Sequence, residues 1–94
     1  MAANQQAQGK YAEAEAGYRK ALDLFRKVLG EEHPLTAASY HNLAANLHAM
    51  GRYAEAEAGY RKALALRQKV LGEDHPDTAQ SKNGLAANLK AQGK

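Results

Sequence analysis

Residues 9–50 read GKYAEAEAGYRKALDLFRKVLGEEHPLTAASYHNLAANLHAM, and residues 51–92 read GRYAEAEAGYRKALALRQKVLGEDHPDTAQSKNGLAANLKAQ. The two stretches align over 42 positions without a gap and differ at 12 of them, leaving 30 identities. A fixed period of this length marks an array in which each unit buries its apolar face against its neighbours. The segment AANQQAQ at 2–8 aligns with AANLHAM at 44–50 and reads as the end of a truncated preceding unit. The divisions are therefore 1–8, 9–50 and 51–92, all within one array spanning 1–94.

Each unit predicts two helices. Tyr11, Ala14, Tyr18, Ala21, Leu22, Phe25, Val28 and Leu29 advance in steps of three and four, as do Tyr53, Ala56, Tyr60, Ala63, Leu64, Val70 and Leu71. Gly30 and Gly72 follow the last apolar residue of these runs, where a C-terminal capping glycine belongs. Pro34 and Pro76 stand four residues later and suit the first turn of a second helix. That shorter helix carries Tyr40, Leu43, Leu47 and Met50, and its copy carries Leu85 and Leu89. No segment alternates as a strand does. The expected order is a partial helix at 2–8, then long, short, long, short, stacked as antiparallel pairs. Gly17 and Gly59 fall in the middle of the long helices, each at a cost of roughly 1 kcal/mol relative to Ala, and imply close approach of a neighbouring helix.

The chain's other properties exclude more than they assign. With 94 residues it forms one small unit. Thirteen Lys and Arg against ten Asp and Glu give a net charge of +3, spread along the chain, too slight to make a nucleic-acid footprint. No apolar run approaches the roughly 18 residues of a membrane span, and no signal-peptide pattern opens the chain, so no membrane association and a cytoplasmic setting are expected. There is no Cys. His33 and His75 adjoin prolines and read as parts of helix starts. His41 and His48 lie seven residues apart, roughly 10 Å along a helix, too far to share one zinc as an i,i+4 pair does. Asn42 and Asn46 could order a ligand backbone through their amides or bond locally. No phosphate-binding glycine loop is present, and Ser39 and Ser81 lack a positioned base. No cofactor, metal or catalytic activity is expected.

The run Leu43-Ala44, Leu47, Gly51, Tyr53, Ala56, Tyr60 and Ala63-Leu64 resembles the tetratricopeptide pattern of large, small and turn residues. The 42-residue unit, longer than the usual 34, is similar to those of kinesin light chains and related bacterial arrays. The resemblance implies an all-α, right-handed superhelix that serves as a protein–protein interaction scaffold. Its short helices would line a concave groove that takes an extended peptide or a partner helix. The groove positions of that family fall here on Ala38, His41, Asn42, Ala45 and His48, and in the last helix on Gln80, Asn83, Ala87 and Lys90. The carboxylate clamp of chaperone-binding members is absent, because only Asn42 matches it, and Gln80 and Gly84 stand where basic residues belong. His41 also replaces the first of the paired Asn typical of kinesin light chains.

The differences between copies cluster. Arg67, Asp77, Lys82, Lys90 and Gln92 stand where the first copy has Phe25, Leu35, Tyr40, His48 and Met50. The pattern reads as a polar cap on the last helix, with a charged ligand site at Lys82 and Lys90 as its rival. At the other end, two turns at 2–8 cannot cover the long helix, so Tyr11, Ala14, Tyr18 and Leu22 are expected to drive self-association. With a polar C-terminal end, a two-fold homodimer is the expected closure, although a higher homo-oligomer is also possible. The near-identity of the copies supports a competing reading, an engineered or excised structural array with no evolved ligand.

Overall fold

The computed structural model describes the backbone of residues 2–94 and the side chains of residues 9–94. Four helices follow one another: α1 (Ala2–Leu29), α2 (Pro34–Ala49), α3 (Tyr53–Val70) and α4 (Pro76–Ala91). No strand occurs among the described residues. The chain is all-α, and α2 packs between α1 and α3 while α3 packs between α2 and α4.

The helix ends repeat with the sequence. His33 and His75 cap α2 and α4, their Nδ1 atoms accepting from the Leu35 and Asp77 amides at 3.1 and 3.0 Å. Pro34 and Pro76 then supply the first turn, where a missing N–H costs nothing. Thr36 and Thr78 hydroxyls donate to the Gly30 and Gly72 carbonyls, both at 2.8 Å, tying each short helix to the end of the long one before it. At the end of α2, the Arg52 amide bonds the Leu47 carbonyl at 3.0 Å and the Gly51 amide bonds that of His48 at 2.9 Å. This is a Schellman close, and it needs the left-handed φ of +81° that Gly51 adopts.

The core gathers Leu22, Leu43, Ala44, Leu47, Ala56 and Tyr60, with Tyr18, Tyr40, Met50 and Leu85 packed around it. Gly59 makes the tightest approach. A Cβ there would lie 2.9 Å from the Ala44 Cβ, so α2 and α3 meet where neither can carry a larger side chain.

Three expectations are corrected. The break expected between 2–8 and the first long helix is absent, because α1 runs unbroken from Ala2; Met1 lies outside the described residues. A seven-residue segment has little apolar surface to bury by folding back, whereas continuing the helix satisfies its backbone bonds locally. Gly17, unlike Gly59, has nothing within 4 Å of its Cβ position. Leu22, expected on an open surface, is buried against α2. Tyr11, Ala14 and Tyr18 are half-buried, and among the described side chains of α1 the large apolar ones that are exposed are Leu24, Val28 and Leu29.

Candidate interaction site

The two short helices lie side by side, and the seam between them is built from the histidines. His41 is only 8% exposed, its Nδ1 3.2 Å from the Ser81 hydroxyl and its ring edge-on to Tyr60 at 5.4 Å. Burial holds its imidazole below the usual pKa and the Arg67 guanidinium pushes the same way, both favouring the neutral ring. One turn pair further on, half-buried His48 lies edge-on to Tyr53 at 4.9 Å, with the Asn88 amide nitrogen 3.2 Å from its Nδ1. The resemblance expects His41 and His48 on the groove face; the structure places both at the seam between α2 and α4, His41 buried and His48 half-buried.

Asn46 and Asn88 are fixed in the same repeating way. Their Nδ2 atoms donate to the Tyr11 and Tyr53 carbonyls at 2.9 and 3.0 Å, tying α2 to the body of α1 and α4 to the first residue of α3. The Asn46 amide is thus taken up locally rather than offered to a ligand.

Asn42, Ala45, Asn83, Ala87 and Lys90 are exposed, and Ala38 is half-buried beside them. Gln80 is exposed too, but its Oε1 accepts from Arg67 Nη1 at 3.1 Å. Arg67, which the comparison of copies reads as part of a polar cap, and Gly84, which stands where the clamp would need a basic residue, both have internal work. Arg67 is not part of a solvating cap: it is 4% exposed, and its Nη1 also donates to the Asp77 carbonyl and the Ser81 hydroxyl, both at 3.0 Å. At Gly84 a Cβ would lie 2.6 Å from the Tyr60 ring, so the loss of a side chain admits the aromatic.

The family profile for the tetratricopeptide repeat matches residues 1–58 and again residues 41–94. Every part of the chain falls under one match or the other. The chain belongs to the tetratricopeptide repeat family. No curated protein matches it. Tetratricopeptide repeats generally act as non-enzymatic scaffolds for protein–protein interaction, a role consistent with helix faces held at fixed spacing.

A second feature of this tetratricopeptide array was not read from sequence. Between α1 and α3 lies an open cleft of about 400 Å³ whose floor is Leu22, Tyr40, Leu43 and Leu47. Arg19, Arg26 and Lys62 stand on its rim, but carboxylates already hold them. Arg19 lies 2.9 Å from Glu15, Arg26 lies 2.9 Å from Glu31, and Lys62 lies 3.2 Å from Glu31. The floor joins residues from α1 and α2 that only the three-helix packing brings together. No group of three His, Cys, Asp or Glu side chains able to hold a metal occurs among the described residues. None of the described helices is long and apolar enough to cross a membrane.

Proposed function

We propose that the chain is a non-enzymatic scaffold whose α2–α4 surface takes an extended peptide or a partner helix, with the right-handed curvature that its family implies. The observation that carries this reading is the seam: His41 to Ser81 and His48 to Asn88 fix the two short helices at one spacing. Exposed rows on both helices then form one preorganised surface, which lowers the ordering cost of binding. The exposed amides of Asn42 and Asn83 can bond a ligand backbone, while Ala45 and Ala87 permit its close approach. The surface carries Lys90 and no acidic residue in these rows, so it favours an acidic or neutral ligand.

A displayed peptide library followed by NMR titration tests the reading. A selected peptide should shift the Asn42 and Asn83 side-chain amides, and Asn42→Ala with Asn83→Ala should weaken it about tenfold, the loss of one or two hydrogen bonds. Binding that ignores both substitutions would sink this surface as the site.

The exposed apolar residues Leu24, Val28 and Leu29 on α1 favour a second reading, a structural array that self-associates.

A further inference from the structure

The internal repeat supplies its own template for what covers α1. On α3, the row Ala56, Gly59, Ala63 and Leu66 recurs every three or four residues along one face. Ala56 and Ala63 are fully buried and Leu66 is 6% exposed, while Gly59 touches Ala44 of α2. The same row on α1 is Ala14, Gly17, Ala21 and Leu24, identical in residue type. There Ala14 and Ala21 are half-buried, Leu24 is 57% exposed and Gly17 meets nothing. The face on α1 therefore has the shape and chemistry of a surface that an α2-like helix fills.

Within this sequence one helix offers the matching face uncovered. Leu85, Ala86 and Leu89 of α4 correspond to Leu43, Ala44 and Leu47 of α2. Ala86, the counterpart of the residue that meets Gly59, is exposed, and Leu85 and Leu89 are half-buried. We propose that α4 of one copy docks on α1 of the next, head to tail, repeating across the junction the contact that α2 makes with α3. This rests on the self-association reading above and replaces the expected two-fold closure.

Charge complementarity supports the head-to-tail contact. Inside the chain, Lys62 pairs with Glu31 at 3.2 Å and Lys69 with Glu32 at 2.5 Å, bridging the loop before α2 to α3. The same register across the junction brings Lys20 to Glu73 and Lys27 to Asp74, opposite charges at both places. The polar exchange at Lys82 does not block the head-to-tail contact. Lys82 bonds Glu73 just as the Tyr40 hydroxyl bonds Glu31, so the carboxylate at the loop stays held in both units.

A heterologous contact of this kind does not close on itself unless the rotation permits a ring, so assembly is open-ended. Gly17→Gln separates assembly from folding. It replaces a poor helix former with a good one at a position with open space, but it places a side chain where the junction admits none. Ala86→Gln obstructs the opposite end. Sedimentation velocity over a hundredfold concentration range should show the unaltered chain growing without a dimer plateau. Each variant alone should sediment as a monomer with full helical circular dichroism, and an equimolar mixture should give a discrete heterodimer. A monomeric unaltered chain at every concentration would overturn self-association altogether. If Ala86→Gln still forms a homodimer and the mixture adds nothing, self-association stands and the head-to-tail arrangement is wrong.

Discussion

Arg67 Nη1 donates to the Ser81 hydroxyl at 3.0 Å, in a site where the equivalent residue of the first unit is Phe25. Ser81 in turn lies 3.2 Å from His41 Nδ1, so a chain of polar contacts crosses from α3 through α4 to α2. The guanidinium carries a desolvation cost, visible in its lowered pKa and in an Nε with no partner. Its three acceptors on α4 offset that cost and leave few ways to replace it.

Arg67→Ala should therefore destabilise the chain by about 2–4 kcal/mol, combining a cavity with a buried Ser81 hydroxyl that loses its donor. Arg67→Lys should recover only part of the loss, since its nitrogen ends one bond short of the Nη1 position that meets all three acceptors. Urea unfolding of the three proteins checks both statements. Equal stability of Arg67→Ala and the unaltered chain would mean that the contacts do no more than balance desolvation.

The lowered pKa of buried His41 predicts a pH dependence of defined sign. Burial and Arg67 lower its folded-state pKa, with Asp77 opposing, while the unfolded chain titrates near the ordinary value of about 6.5. Between the two values the unfolded state binds more protons, so stability rises with pH there. Stability should thus fall as the pH drops through about 6.5 and level off below the folded pKa. His41→Asn, which introduces the residue found at position 83, should flatten that part of the profile. Unfolding free energies measured at intervals between acid and neutral pH would show it, and a parallel profile in the variant would contradict the assignment.

Glu57 gives the opposite sign. Gln92, Arg61 and Lys94 hold its carboxylate down to about 2, largely through the Gln92 amide at 3.0 Å. A depressed carboxylate stabilises the fold above its unfolded value, and that contribution is lost as pH falls through the folded one. Glu57→Gln should remove this share of the acid sensitivity, seen as a shallower loss of helical signal at low pH.

How much of this was legible in the sequence depends on whether a residue answers to its neighbours along the chain or across space. Pro34, Gly51 and the stepping of Tyr53, Ala56 and Tyr60 state helix starts, stops and faces locally, and the 42-residue period stacks those helices in order. The roles of His41, Arg67 and Gly84 do not show in any local pattern. Each looks like a surface or groove change until α4 is set against α2 and α3, when His41 becomes a seam residue and Gly84 a seat for Tyr60. The uncovered row of α1 lay one step beyond sequence for the same reason. Helical period placed Tyr18 and Leu22 on an apolar face, but only packing shows that α2 takes Leu22 and leaves Leu24 and Val28 out.

The sharpest consequence of that asymmetry is one substitution made at two equivalent positions. Gly17→Ala adds a methyl group where nothing lies within 4 Å and gains the helix preference of Ala, so the monomer should be stabilised by up to about 1 kcal/mol. Gly59→Ala gains the same preference but puts its Cβ at 2.9 Å from the Ala44 Cβ and 3.5 Å from the Tyr40 carbonyl oxygen. Neither neighbour is the far end of a flexible side chain, so α2 and α3 must move apart. Overpacking of this kind costs about 1–3 kcal/mol, more than the propensity returns. Thermal unfolding at low protein concentration should then move upward for Gly17→Ala and downward for Gly59→Ala. At high concentration the Gly17→Ala gain should shrink or reverse, because the added methyl group occupies the space that Ala86 of another copy would fill.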